Sequence, residues 1–314
     1  MNNYDRAVIG KQAAELGFIR DSFEKVSRLA GVLSFFERDP ILSRYLALKG
    51  GTAINMLIFK MPRLSVDIDL DFAENMPLKE TMALRETIRS TIERYMSMSG
   101  YALTDKSKKS HALDSDVYSY INSAGVRDNI KIEINYILRS HILPLVKLPI
   151  ETLGIFAPTM VLSLDSVEIF ASKIVALRMR SAARDLYDVS NMINAKLFDE
   201  VQKETLCKCV VFYTAIASDA IPETFGFDKM NLLTYRDIKT KLKPMLRKRE
   251  QFDFDTARRQ VREYLTELLI LSDAEKEFLA SFRNGKYSPE LLFSGETLER
   301  IRNHPMAMWK TSRV

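Results

Sequence analysis

Asp67 and Asp69 stand two apart in a run, Ser65-Val66-Asp67-Ile68-Asp69-Leu70-Asp71-Phe72, that alternates polar and apolar residues. Such alternation is a strand pattern, and it puts both carboxylates on one strand face. Neighbouring carboxylates repel unless a cation joins them. Hard oxygen ligands at this spacing suit Mg²⁺, or Mn²⁺ in its place, held together with substrate phosphates. Asp71 continues the face nearer the strand end. Glu133, between Ile132 and Ile134 in a second strand-like run, offers a third carboxylate. If the two strands are neighbours, Asp67, Asp69 and Glu133 converge on a two-metal site, whose ions about 3.5–4 Å apart clamp an in-line phosphoryl displacement. Glu133 then binds a metal or takes the proton of the attacking hydroxyl. Alternating aspartates also occur on solvated edge strands, so a second signal is needed.

Gly50-Gly51-Thr52 supplies it. Two glycines let the backbone approach a phosphate closely, and Thr52 is placed to cap a short helix running to about Lys60, whose first N–H groups then face the anion. Ser65 precedes Asp67 by two and is expected on the same face, within reach of a carboxylate or a phosphate. Arg63, in the loop before the strand, is placed to contact nucleotide or acceptor. A glycine turn, a short helix and an Asp-x-Asp strand together are far more specific than any one of them.

These residues need elements to hold them. Residues 5–40 read as helices, with apolar residues Phe18, Ile19, Phe23, Val26, Leu29, Val32 and Leu33 at spacings of three and four. Tyr45–Lys49 reads as a short buried strand, 77–98 as an amphipathic helix, and 117–121 and 130–137 as strands joined by the turn-rich NSAGVRDN. From about residue 164 the texture is helical, first in DSVEIFASKIVALRMR and then in RDLYDVSNMI, with a polar, proline-containing stretch around 220–245. The domain boundary is expected near 155–165, dividing the chain into 1–160 and 161–314.

Here the sequence resembles a known family. A strand, a Gly-Gly-Thr turn, a helix and Asp-Ile-Asp-Leu form the pattern of the polymerase-β-like nucleotidyltransferase superfamily. Leu48-Lys49-Gly50-Gly51-Thr52-Ala53 followed by Arg63-Leu64-Ser65-Val66-Asp67-Ile68-Asp69-Leu70 is similar to its AbiEii-type branch, the nucleotidyltransferase toxins of type IV toxin–antitoxin and abortive-infection systems. Glu168–Leu177 resembles that family's lysine helix, and Arg184-Asp185-Leu186-Tyr187-Asp188 the Arg-Asp-x-x-Asp segment after it. The resemblance implies an α+β fold: a small mixed β-sheet nucleotidyltransferase core, flanking N-terminal helices and an α-helical C-terminal domain. It implies that Lys173 neutralises the triphosphate of an NTP. On an unbroken helix Arg180 and Arg184 would share the Lys173 face as a cationic stripe. Asp188 is favoured as a site carboxylate, whereas Asp185 either joins the site or caps a helix starting at Leu186, with Arg184 in an ion pair. The resemblance further implies a growth-inhibiting toxin, transfer RNA as acceptor and a cognate antitoxin encoded nearby.

Composition narrows the rest. At 46% hydrophobic and 28% charged, 314 residues build one large or two ordinary domains. No apolar run approaches a bilayer span, and the N-terminus lacks a signal-peptide layout, so a cytoplasmic location is expected. Cys207 and Cys209, two apart, point to a reducing compartment, and three scattered histidines argue against a zinc site. A net charge of +5 suits a polyanionic partner without requiring one. The run 239–249, KTKLKPMLRKR, is either an RNA-backbone contact or a solvated basic surface. Two rivals remain open at this point: a small-molecule nucleotidyltransferase of the antibiotic-modifying kind, and a non-catalytic nucleotide-binding protein of the same fold.

Overall fold

In a computed structural model of the chain, residues 4–152, 159–218 and 220–313 are described. Residues 155–158, at the start of the expected boundary region, lie outside them. The chain divides into two compact units. The first comprises residues 1–139, 145–164 and 245–249; the second comprises 140–144, 165–244 and 250–314.

The first unit carries the sheet. Its N-terminal helices are α1 (Arg6–Leu16) and α2 (Arg20–Arg38), and α2 buries Phe23, Val26, Leu29, Ala30, Leu33 and Phe36 at helical spacing. A single turn, α3 (Leu42–Tyr45), leads into β1 (Leu46–Lys49). The chain then winds through α4 (Gly50–Ala53) and a wider π-type turn (Ile54–Ile58) before β2 (Asp67–Phe72). After α5 (Leu78–Met98) come β3 (Ala102–Leu103), β4 (Lys108–Lys109), β5 (Leu113–Ile121), β6 (Arg127–Asn135), β7 (Val146–Pro149) and β8 (Met160–Ser163). Strand order is β3-β5-β6-β2-β1-β8-β7, with β4 also on β5. The β2–β6 and β1–β8 pairs are parallel and the others antiparallel, so the sheet is mixed, as expected.

Period-two alternation sorts the central strands into two faces. Leu46, Leu48, Ile68, Leu70, Phe72, Ile130, Ile132 and Ile134 form one buried apolar face. Asp114 of β5 also lies on that face, and Arg85 of α5 neutralises it through two hydrogen bonds of 2.6 and 3.0 Å. The β5–β6 hairpin is tighter than the sequence suggested: Asn122 Oδ1 accepts from the Ala124 and Val126 amides, Gly125 sits at φ +78°, and Arg127 is already in β6.

The second unit is helical: α6 (Ser166–Arg180), α7 (Ala183–Asn194), α8 (Glu200–Ala217), α9 (Tyr235–Asp237), α10 (Phe254–Leu268), α11 (Asp273–Arg283), α12 (Gly295–Ile301) and α13 (Pro305–Thr311). Helix α6 is apolar nearly all round and packs on α7 and α8. Its buried Glu168 accepts the Ile142 and Leu143 amides and the Tyr213 hydroxyl, pinning the short segment 140–144. Burial opposes that charge, but His141, Tyr213 and the Leu143 amide outweigh it and lower the Glu168 pKa. Among the described residues, no helix is long and apolar enough to cross a membrane.

Candidate active site

The polar face of the sheet is built in rows. The pairing puts Lys49, Asp69, Glu133 and Ser115 abreast on β1, β2, β6 and β5, with Asp67 beside Lys131 in the next row and Asp71 beside Asn135 on the other side. The inference that the Glu133 strand adjoins the Asp67–Asp69 strand therefore matches the register. Asp67 and Asp69 are half-buried, whereas Asp71 is buried and receives the Lys49 ammonium at 2.5 Å. Glu133 pairs with Lys131 at 2.7 Å. Among the described residues, no three His, Cys, Asp or Glu side chains are gathered in an arrangement ready to hold a metal ion. Two adjacent aspartates nevertheless fit a hard divalent cation, which is commonly bound by one or two carboxylates and completed by substrate phosphates.

The glycine turn is packed directly onto this row. Gly50 has φ +68°, a conformation that suits glycine, and it lets β1 pivot at once into α4. A Cβ at Gly50 would lie 2.5 Å from Asp69 Oδ2, and one at Gly51 would lie 3.0 Å from both Arg63 Nη2 and Ser65 Oγ. Two expectations change here. Thr52 is not the helix cap, because the helix begins at Gly50 behind Lys49; the buried Thr52 hydroxyl instead donates to the Asp67 carbonyl and ties the turn to β2. Arg63 does not reach outward. It is 1% exposed, donates to the Leu64 carbonyl at 2.9 Å and lies behind Gly51. Ser65 is also buried and precedes β2 rather than beginning it.

The remaining expected residues lie in the second unit. Lys173, in the middle of α6, is 7% exposed and reaches Asp185 at 2.9 Å and Asp188 at 3.3 Å. Both aspartates are 1% exposed. Arg180 adds 2.9 Å to Asp185. Burial pushes the Asp185 carboxyl up, but Lys173 and Arg180 outweigh it and hold it below the usual range. The expected cationic stripe does not form, because Ser181 takes a left-handed conformation (φ +48°) that ends α6 and turns the chain into α7. Asp185 is not a cap either. Helix α7 starts at Ala183, Asp185 lies in its first turn, and its arginine partner is Arg180. Arg184 is half-exposed and takes no part in these ion pairs.

Two basic residues of the polar face were missed, Lys49 and Lys131. The signal was available: Lys131 stands two before Glu133 and so must share its face, and Lys49 ends the strand just before the turn.

A glycine turn seated on paired aspartates, at the centre of a mixed sheet with flanking helices, is the core of a nucleotidyltransferase. The family model described as "Nucleotidyl transferase AbiEii toxin, Type IV TA system" matches residues 34–284, and the chain belongs to that family of nucleotidyltransferases. Among solved structures it is similar to MenT4, a nucleotidyltransferase toxin from Mycobacterium tuberculosis, with TM-score 0.66 and 15% identity over 96% of this chain and 98% of that one. That likeness concerns the fold. A putative nucleotidyltransferase from H. pylori aligns with TM-score 0.48 and 16% identity, over 80% of this chain and 97% of that one. No curated protein matches the chain.

Proposed function

We propose that the chain moves a nucleoside monophosphate from an NTP onto an RNA acceptor, transfer RNA in the first place, with a divalent cation, Mg²⁺ or Mn²⁺. It thereby inhibits growth until a cognate antitoxin restrains it. The observation that carries the reading is the seating of Gly50 against Asp69 Oδ2, with Asp67 beside it on β2. Asp67 and Asp69 hold the cation, whose chemistry is to neutralise charge developing on the transferred phosphoryl group. Gly50 keeps a side-chain-free approach to Asp69 for the triphosphate, and Gly51 lets the turn sit on Arg63 and Ser65 behind it. Glu133, exchanging Lys131 for the acceptor hydroxyl, takes its proton as the bond from that oxygen to the α-phosphorus forms and the α–β phosphoanhydride bond breaks, releasing pyrophosphate. Lys173, Asp185 and Asp188 serve foremost as the internal brace between α6 and α7.

RNA is favoured over a small cationic acceptor by charge. The sequence pI is about 9.0. Lys239, Lys241 and Lys243 of the second unit are exposed, as are Lys248 and Arg249 of the first. The test is incubation of the pure protein with each labelled NTP, total RNA, and Mg²⁺ or Mn²⁺. Label is expected in transfer RNA, and Asp69→Ala should lower the rate by at least roughly 10²–10³-fold while the protein stays folded. Absence of label in RNA with all four NTPs would sink the proposal, and label on an aminoglycoside-like acceptor alone would replace it with small-molecule transfer.

A further inference from the structure

Between the glycine turn and β2 the chain makes an unusual bend. Lys60 and Met61 both have left-handed backbones, with φ of +52° and +58°. For residues with a Cβ this costs on the order of 1–2 kcal/mol each. The bend persists because other groups hold it. The Met61 amide donates to the Asn55 carbonyl at 2.6 Å, and the Met61 side chain is buried. The other holders come from far along the sequence, in residues 245–249, which belong to the first compact unit although both flanking segments belong to the second.

This five-residue strap is fixed along its length. The Met245 carbonyl accepts the Leu64 amide at 2.8 Å, and Leu246 forms an isolated bridge with Arg63. Arg247 Nη2 donates to the Met61 carbonyl at 3.2 Å, while its guanidinium lies 5.3 Å over the Phe18 ring. The Lys248 amide donates to the Gly17 carbonyl at 2.6 Å. One strap thus ties the end of α1 to the loop that leads to Asp67. That loop also carries Arg63 and Ser65, the two side chains that back Gly51.

We propose that Arg247 is a positioning residue for nucleotidyl transfer. It locks the Lys60–Met61 bend through the Met61 carbonyl and, through the Leu246–Arg63 bridge beside it, fixes the glycine turn over Asp69. The proposal rests on the reading of the Asp67–Asp69 face as the transfer site. It also divides the basic run 239–249: Arg247 is engaged inside the fold, and the exposed Lys248 and Arg249 are left to meet a polyanion. A planar guanidinium can lie on a ring and donate to a carbonyl at once, whereas a lysine ammonium does not reproduce both contacts.

Arg247→Met and Arg247→Lys, compared with wild type and Asp69→Ala, test this. Steady-state transfer to transfer RNA is measured together with amide hydrogen exchange over residues 60–65. Both Arg247 variants are expected to lose roughly 10- to 100-fold in kcat, as misplacement of a site by about 1 Å does, with KM for RNA and NTP held. Exchange at Leu64 should quicken while the β5–β6 hairpin stays protected. A surface RNA contact would instead raise the KM for RNA in Arg247→Met and spare Arg247→Lys, and that pattern overturns the proposal. Unchanged kcat overturns it, and so does unchanged exchange at Leu64. An active Asp69→Ala variant overturns the underlying site reading instead, and the exchange data then still decide whether Arg247 holds the loop. Arg247→Lys keeps the charge and most of the aliphatic stem, so it reports even if Arg247→Met fails to fold.

Discussion

The two units each bring lysine and aspartate together, and they do so in opposite ways. On the sheet face of the first unit, Asp67 and Asp69 are half-buried, and the pair Lys131–Glu133 beside them is 36% and 26% exposed. Between α6 and α7 of the second unit, one lysine meets two aspartates that are almost wholly enclosed. A half-open carboxylate face retains water and can exchange it for a cation and phosphates. An enclosed triad has already given up its water, and its ions are committed to each other. Motif matching alone ranks the two groups equally, whereas burial separates a face able to receive a ligand from a brace that holds helices.

The largest effect that tests this contrast is on Lys173. Lys173→Met removes the buried ammonium shared by Asp185 and Asp188, leaving Arg180 on Asp185, and should destabilise the fold by roughly 3–5 kcal/mol in denaturant titration. Adding Asp185→Asn and Asp188→Asn removes the stranded charges and should restore most of that loss. The restored triple variant then separates brace from phosphate contact: an unchanged KM for NTP leaves Lys173 structural, and a raised KM gives it the triphosphate role that the family resemblance implies. A single variant as stable as wild type would break the comparison itself. The same cluster sets an acid limit. The Asp185 carboxyl titrates below its ordinary 3.8 in the folded state. Its contribution is therefore complete above that pH and is lost as pH falls through the lower folded value. A thermal-melting profile into the acid range should show this loss in wild type and not in the triple variant.

Gly50→Ala comes next. The new methyl would meet Asp69 Oδ2 at 2.5 Å on a backbone already at φ +68°. The conformational part costs about 1–2 kcal/mol. Because the clash falls on a carboxylate of the proposed site, transfer should drop much further than stability, whereas a methyl at Gly100, which also has positive φ but nothing within 4 Å, should change stability alone. Equal loss of transfer in both variants would mean that the Gly50–Asp69 contact has no special role.

How far these features could be read from the sequence follows from what each depends on. Strand alternation is local, so it puts Asp67 and Asp69 on one face; Glu133 joins them only if its strand is a neighbour, and the register of Asp69 to Glu133 meets that condition. The mixed sheet follows from the family resemblance rather than from any local pattern, and β7 and β8 were not legible at all. Each has four residues, too few to show a period, and β7 contains Pro149. The cationic stripe failed at Ser181, a left-handed turn made without the glycine that ordinarily announces one. Arg63 failed for a non-local reason. A charged residue between Pro62 and Leu64 reads as solvent-facing loop, but it is buried behind Gly51 and bridged to the strap 245–249, which is remote in sequence.

The smallest expected effect concerns Lys131 and bears on whether the sheet face is as open as its burial indicates. Its pair with Glu133 is part-exposed, and such pairs contribute less than about 1 kcal/mol. Lys131→Ala should therefore leave the melting temperature almost unmoved, in contrast to Lys173→Met. Its consequence for transfer depends on what Glu133 does. If Glu133 takes the acceptor proton, removing the ammonium that now pairs with it leaves the carboxylate to the acceptor hydroxyl. Transfer should then be retained in Lys131→Ala and fall by roughly 10²–10⁴-fold in Glu133→Gln. Transfer by Glu133→Gln at the wild-type rate would remove Glu133 from the proton transfer and leave Asp67 and Asp69 as the proposed carboxylates of the face.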